Sequence, residues 1–159
     1  MKPAVADPIT EARRQWVAHG WEDTADRMAV VTSIMRCQQL LIARCDERLG
    51  PFGLTFSRFE VLRLLAFSRA GALPLGKVGQ RLQVHPASVT NAVDRLEARG
   101  LVARVPNPAD GRGVLAQVTE DGRRVVEAAT EVLNRDVFAA LDISEAQAVK
   151  LFDLLGKLR

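Results

Sequence analysis

The chain predicts a mainly α fold with one small β-ribbon: a helix-turn-helix followed by a wing, flanked by longer helices. Three observations carry that prediction. Leu75–Thr119 reads as two short helices joined by a tight turn and followed by two alternating segments. A charged, Gly- and Pro-rich stretch separates those two segments. On either side of the module, long segments carry apolar residues at spacings of three and four.

The elements follow in order. Pro8–His19 suits a short helix, with Asp7 as N-cap and Pro8 at the first helical position, interrupted at Gly20. Thr24 or Asp23 is placed to cap a long helix to about Leu49, which Gly50 and Pro51 stop. Its stripe runs Met28, Val31, Met35, Gln38, Ile42, Cys45, Leu49, widened by Val30, Ile34, Cys37 and Leu41. A helix this apolar on more than one side needs two partners. Ser57 is expected to cap a helix to about Arg69, with Phe59, Leu62, Leu65 and Ala66 inward, and Leu73–Leu75 is a short extended piece.

Gly76–Leu82 and Pro86–Arg99 are the two helices of the motif, and Gly100 ends the second. Val89, Val93 and Leu96 face inward, towards Val78, Leu82 and Val84. Leu101–Val105 and Val114–Thr119 alternate as strands about the turn at Pro106–Gly113. Thr119 caps a helix to about Leu141, and Ser144 with Gln147 forms a capping box for a last helix to Leu158. The stripes of these last helices (Val125, Val126, Ala129, Val132, Leu133, Phe138, Leu141; Val149, Leu151, Phe152, Leu155, Leu158) exceed what one subunit covers, which predicts a symmetric dimer. The organisation expected is a single domain over 1–159, with dimerisation helices at 8–50 and 120–159 around a winged module at 55–119.

The net charge is only +3, but its distribution is uneven. Thr55–Leu115 holds nine Lys/Arg against four acids, a balance of +5, leaving −2 for the rest. A basic centre between mildly acidic ends suits a surface that meets phosphate. No Ser-His-Asp order, P-loop, dinucleotide fingerprint or metal cluster is present, so catalytic residues, metal and cofactor are all expected to be absent. No membrane span or leader is read, and the expected location is cytoplasmic. Cys37 and Cys45 lie about 12 Å apart along one helix axis, too far for an intrahelical disulfide, and packing is the preferred reading for both.

The second motif helix carries the chemistry. Its outer side holds Ala87, Ser88, Thr90, Asn91, Asp94 and Arg95, and Pro86 opens it. Asn can bond adenine twice, Ser and Thr can bond base edges or phosphate, and Arg can fork onto guanine. The wing tip adds Asn107, Asp110 and Arg112. An Arg on a narrow hairpin can enter a minor groove, and Asp110 is suited to holding Arg112 or Arg95 by a charge-assisted bond. The partner this predicts is double-stranded DNA. The runner-up is a winged-helix protein–protein module with no DNA site, and a salt series separates the two because DNA binding weakens steeply as salt rises.

With those residues in view, the chain resembles MarR-type transcriptional regulators over nearly its whole length. The matching words are LTFSRFEVLRLL, LGKVGQRLQVHPASVTNAVDRLEARGLVAR and DGRGVLAQVT. The resemblance implies a homodimer with interlocking terminal helices, two winged modules on a palindromic operator, and repression relieved by a small, often phenolic, anion. It carries DNA contacts to Ser88, Thr90, Asn91 and Arg95, and to Arg112 in the wing. Many members place a second Arg or a Lys where this chain has Gly113. A urate-binding subgroup shares an extra N-terminal helix with a Trp, here Trp16, but pairs it with an Asp and an Arg. This chain has Glu60 and Ala92 there, and Ala cannot anchor an anion, so urate binding is not carried over.

A small-molecule effector site is expected where the long helix meets the winged module. Trp16, Trp21, Met28, Arg36, Phe59, Glu60 and Arg63 are the candidates, combining apolar walls with a cation. His19 beside two Trp residues is read as structural.

Overall fold

The computed structural model describes residues 7–110 and 113–159. The chain forms two compact units, Met1–Arg44 and Cys45–Arg159.

In the first unit, α1 (Pro8–Ala18) starts as expected. Asp7 accepts the Thr10 N–H at 2.9 Å and Pro8 occupies the first turn. Trp16 and Trp21 meet edge to face with ring centroids 5.1 Å apart, and His19 stacks on Trp21. The helix α2 (Glu22–Leu49) begins before both predicted caps. Thr24 therefore sits inside the first turn, and its hydroxyl donates back to the Trp21 carbonyl at 3.2 Å. Along α2, Val30, Val31, Met35, Leu40 and Ile42 are exposed.

The second unit is the winged module with its C-terminal extension. A 3-10 turn, Gly50–Phe52, leads through Gly53 at φ +63° into α3 (Phe56–Phe67). Ser57 does not cap this helix. The first residue outside it is Thr55, which makes no side-chain cap bond, and the Asp46 carboxylate accepts the Phe56 N–H at 2.6 Å instead. β1 (Ala72–Pro74) is followed by α4 (Leu75–Leu82), α5 (Pro86–Glu97), β2 (Val102–Pro106) and β3 (Val114–Val118). The extended piece at Leu73 thus becomes a third strand: the sheet is antiparallel in the order β1-β3-β2, with Leu73 opposite Ala116 and Arg104 opposite Ala116 on the other side.

Gly100, at φ +69°, closes α5 in a Schellman turn. Its N–H reaches the Glu97 carbonyl at 2.8 Å and the Leu101 N–H reaches the Leu96 carbonyl at 3.0 Å. Thr119 caps α6 (Glu120–Leu133) by accepting the Gly122 N–H at 3.0 Å and donates to the Gly100 carbonyl at 2.7 Å. The predicted run to about Leu141 continues past Leu133 as a π-helical turn, Asn134–Phe138, and ends just short of Leu141. α7 (Glu145–Gly156) opens with the expected Ser144–Gln147 capping box.

The core gathers Phe59, Val61, Leu62 and Leu65 of α3, Val78 of α4, and Val89, Val93 and Leu96 of α5. Ala116 of β3 and Val126, Ala129 and Leu133 of α6 complete it. Two sequence expectations change. Val84 is 38% exposed rather than inward, because Gln83 turns left-handed (φ +56°) and points the next residue away. The row within α6 (Val126, Ala129, Leu133) is also spent inside its own unit, whereas Phe138 and Leu141 beyond it stay exposed. α7 buries no residue and leaves Val149, Leu151, Phe152 and Leu154 exposed, as is Leu158 just past its end.

Candidate nucleic-acid interface

The helix α5 is held from three sides, so its outer face has one orientation. Val89, Val93 and Leu96 are buried beneath it. Gly79 of α4 allows the close crossing of the two motif helices: a Cβ there would stand 3.3 Å from the Val84 carbonyl and 3.4 Å from a Val89 methyl. At the N-terminus His85 is the N-cap, its Nδ1 accepting the Ala87 N–H at 3.2 Å, and Pro86 follows. Composition patterns do not single out this histidine, since Ser, Thr, Asp and Asn are the usual caps.

Pro86, Ser88, Thr90, Asn91, Asp94 and Arg95 are all exposed on α5. The Thr90 hydroxyl donates to the Pro86 carbonyl at 3.2 Å, which fixes its rotamer. Asp94 is not available as a free acid. Arg104 of β2 donates to it at 2.5 Å and to Glu97 as well, and the Arg104 backbone N–H reaches Glu97 at 3.2 Å. These bonds, Asp94 first, hold the Arg104 guanidinium above its ordinary pKa. The network ties the first wing strand to α5 and cancels an acid on the outward face. The signal for it was present in the sequence: two acids three apart on one flank of the helix, with an Arg a few residues beyond the following glycine.

In the wing turn, the Asn107 carboxamide oxygen accepts the Ala109 N–H at 3.1 Å, and the Gly113 N–H reaches the Asp110 carbonyl at 2.9 Å. Asp110 is exposed. Arg112, the predicted wing contact, lies outside the described residues. Beside α5 runs an open groove of about 540 Å³ lined by Asp46, Thr55, Ser57, Arg58, Ala87, Ser88, Asn91 and Ala92.

The seven effector candidates fall in both units. Trp16 is half-buried against the exposed Trp21. The Met28 sulfur accepts from Thr32, and Arg36 donates to Gln39 at 2.9 Å. Phe59 is a core residue. Glu60 is half-buried, and burial raises its carboxyl above the usual range. Arg63, one of the two candidate cations, pairs with Glu127 of α6 at 2.9 Å and lies 4.0 Å over the Phe67 ring, while its Nε is buried without a hydrogen-bond partner among the described residues. Cys45 is buried in the core, whereas Cys37 is exposed, against the packed position expected for it.

Comparison with known proteins now decides the family. The MarR family profile matches residues 52–113. Sco5413, a MarR family transcriptional regulator from Streptomyces coelicolor, is 49% identical with a TM-score of 0.77, over 84% of this chain and 93% of its own. The chain belongs to the MarR family. YhbI of Bacillus subtilis (strain 168), an HTH-type transcriptional regulator, is 34% identical over 114 residues, 69% of this chain and 73% of its own. A mutant MarR from E. coli, solved with operator DNA, is 26% identical with a TM-score of 0.76, over 85% of this chain and 96% of its own. This MarR-family chain is a DNA-binding transcriptional regulator and not an enzyme. Among the described residues no helix is long and apolar enough to cross a membrane.

Proposed function

We propose that the protein is a homodimer that reads a palindromic operator, represses there, and is released by a small aromatic anion. The observation that carries the DNA reading is the outer row of α5. Ser88, Asn91 and Arg95 are exposed and make no side-chain bond to other described residues, while the adjacent acid Asp94 is neutralised by Arg104. The E. coli MarR solved with operator DNA supports it. In this reading Asn91 and Arg95 meet base edges, Ser88 and Thr90 meet base edges or phosphate, Pro86 opens the approach, and Asp110 with Arg112 forms the wing contact.

The dimer reading rests on the exposed apolar rows of α2 and α7. Leu151 and Leu154 of α7 are each about half exposed, and Phe152 is 65% exposed. Rows of that kind on a soluble regulator mark a protein contact. A twofold pairing through them sets two copies of α5 one DNA turn apart, roughly 34 Å. Effector release rests on the family resemblance. Work on chromosomal DNA puts the protein in the cytoplasm.

The test is a gel-shift titration on duplexes selected by the purified protein, with its mass measured in parallel. Arg112→Ala weakens binding and leaves the fold intact. Unchanged affinity at physiological salt removes the wing contact, and a monomer at micromolar concentration removes the twofold reading.

A further inference from the structure

We infer that the groove beside α5 is a second phosphate clamp, in which Arg58, with the hydroxyls of Thr55 and Ser57, holds a backbone phosphate of the DNA duplex. The inference rests on the DNA reading above and deepens it. At about 100° per residue, Ser88 and Ala92 lie on one flank of α5, and Asp94 and Glu97 lie on the opposite one. The wing owns the second flank through Arg104. The groove owns the first, since Ser88, Asn91 and Ala92 form one of its walls. An α-helix with its side chains is about 10–12 Å across and the major groove about 12 Å wide, so a helix seated there meets phosphate on both flanks. The wing faces one phosphate wall. The residues across the groove from Ser88 and Asn91 face the other.

Those residues are chemically suited to it. Arg58 is the groove's one cation and makes no hydrogen bond or ion pair with other described residues. The hydroxyls of Thr55 and Ser57 stand 3.2 Å apart, so a single hydrogen bond between them leaves one O–H to donate outward. The groove's one acid, Asp46, spends an oxygen on the Phe56 N–H at 2.6 Å. Its charge opposes the phosphate, which gives the clamp a second handle of opposite sign.

The test measures affinity against salt by fluorescence anisotropy on two probes: a duplex selected by the wild-type protein and a random duplex of about 30 base pairs, three turns. Arg58→Gln removes the charge, keeps a shorter polar side chain and breaks no bond to another described residue. It should weaken binding equally on both probes and lower the slope of log affinity against log salt by about 0.9 per protomer. Arg58→Lys should restore the slope. Asp46→Asn, which keeps an acceptor for Phe56, should tighten binding. Wild-type slope and affinity in Arg58→Gln overturn the clamp and leave the operator reading standing. A loss confined to the selected duplex also overturns it, because Arg58 would then read bases. Failure of the wild-type protein to bind either probe overturns both readings.

Discussion

Gly122 is where the winged module joins its C-terminal helix most tightly, and replacing it with Ala tests that junction. A Cβ at this position would stand 2.1 Å from the Leu101 carbonyl oxygen and 3.0 Å from a Val118 methyl. Carbon and carbonyl oxygen tolerate about 3.3 Å, so the first turn of α6 must retreat by about 1 Å. That movement strains three bonds: Thr119 Oγ1 to the Gly100 carbonyl (2.7 Å), the Gly122 N–H to Thr119 Oγ1 (3.0 Å), and the Thr119 N–H to the Leu101 carbonyl (3.1 Å). Each is worth about 1 kcal/mol net, and overpacking costs a further 1–3 kcal/mol, roughly. The better helix propensity of Ala returns up to about 1 kcal/mol. With the strained bonds partly kept, the balance is a loss of about 2–3 kcal/mol. For a chain of this length that lowers Tm by roughly 4–12 °C. The assay is a thermal melt at fixed protein concentration, with Gly156→Ala as control, since a Cβ there meets nothing within 4 Å. If Gly122→Ala melts with the wild type, α6 does not seat on Leu101 as described.

Asn91→Ala should cost about 1–3 kcal/mol on the operator and relax preference at one position per half-site, read by competition with single-base operator variants; a uniform loss would make Asn91 a phosphate contact. Arg104→Met should weaken operator binding by about 1 kcal/mol, the size of one uncompensated surface charge near phosphate. Adding Asp94→Asn should recover part of that loss, so an unimproved double variant would refute charge cancellation. Glu60→Gln should raise Tm at neutral pH. The Glu60 carboxyl is raised in the fold by burial, so the charged form opposes folding. The stability Glu60 contributes is full below the ordinary carboxylate pKa and is lost as pH rises through the raised one. The gain from Gln should therefore vanish in acid, and melts across pH check it.

Local rules made much of the molecule legible. Caps at Asp7, Thr119 and Ser144 and the Gly100 turn were readable because each depends on a few adjacent residues. The row Val89, Val93, Leu96 revealed the outer face of α5 by periodicity alone. What stayed hidden depends on partners distant in sequence. The Phe56 N–H is met by Asp46, ten residues upstream, which no capping pattern includes. Arg63 pairs with Glu127 on α6, a partner more than sixty residues away that no local pattern announces. Periodicity alone does not separate the α6 row Val126, Ala129, Leu133, which its own unit buries, from Phe138, Leu141 and the α7 row, which stay exposed. Arg58 carried no local signal either, since the groove exists only once α3 and α5 pack side by side.

In the proposed reading, two copies of α5 enter successive major grooves of one duplex. Sequencing the DNA fragments that the purified protein retains from a random pool tests that arrangement most directly. An inverted repeat with half-sites about 10 base pairs apart, centre to centre, is the predicted outcome. Enrichment of a single unsymmetrical site, or of no sequence at all, would contradict it.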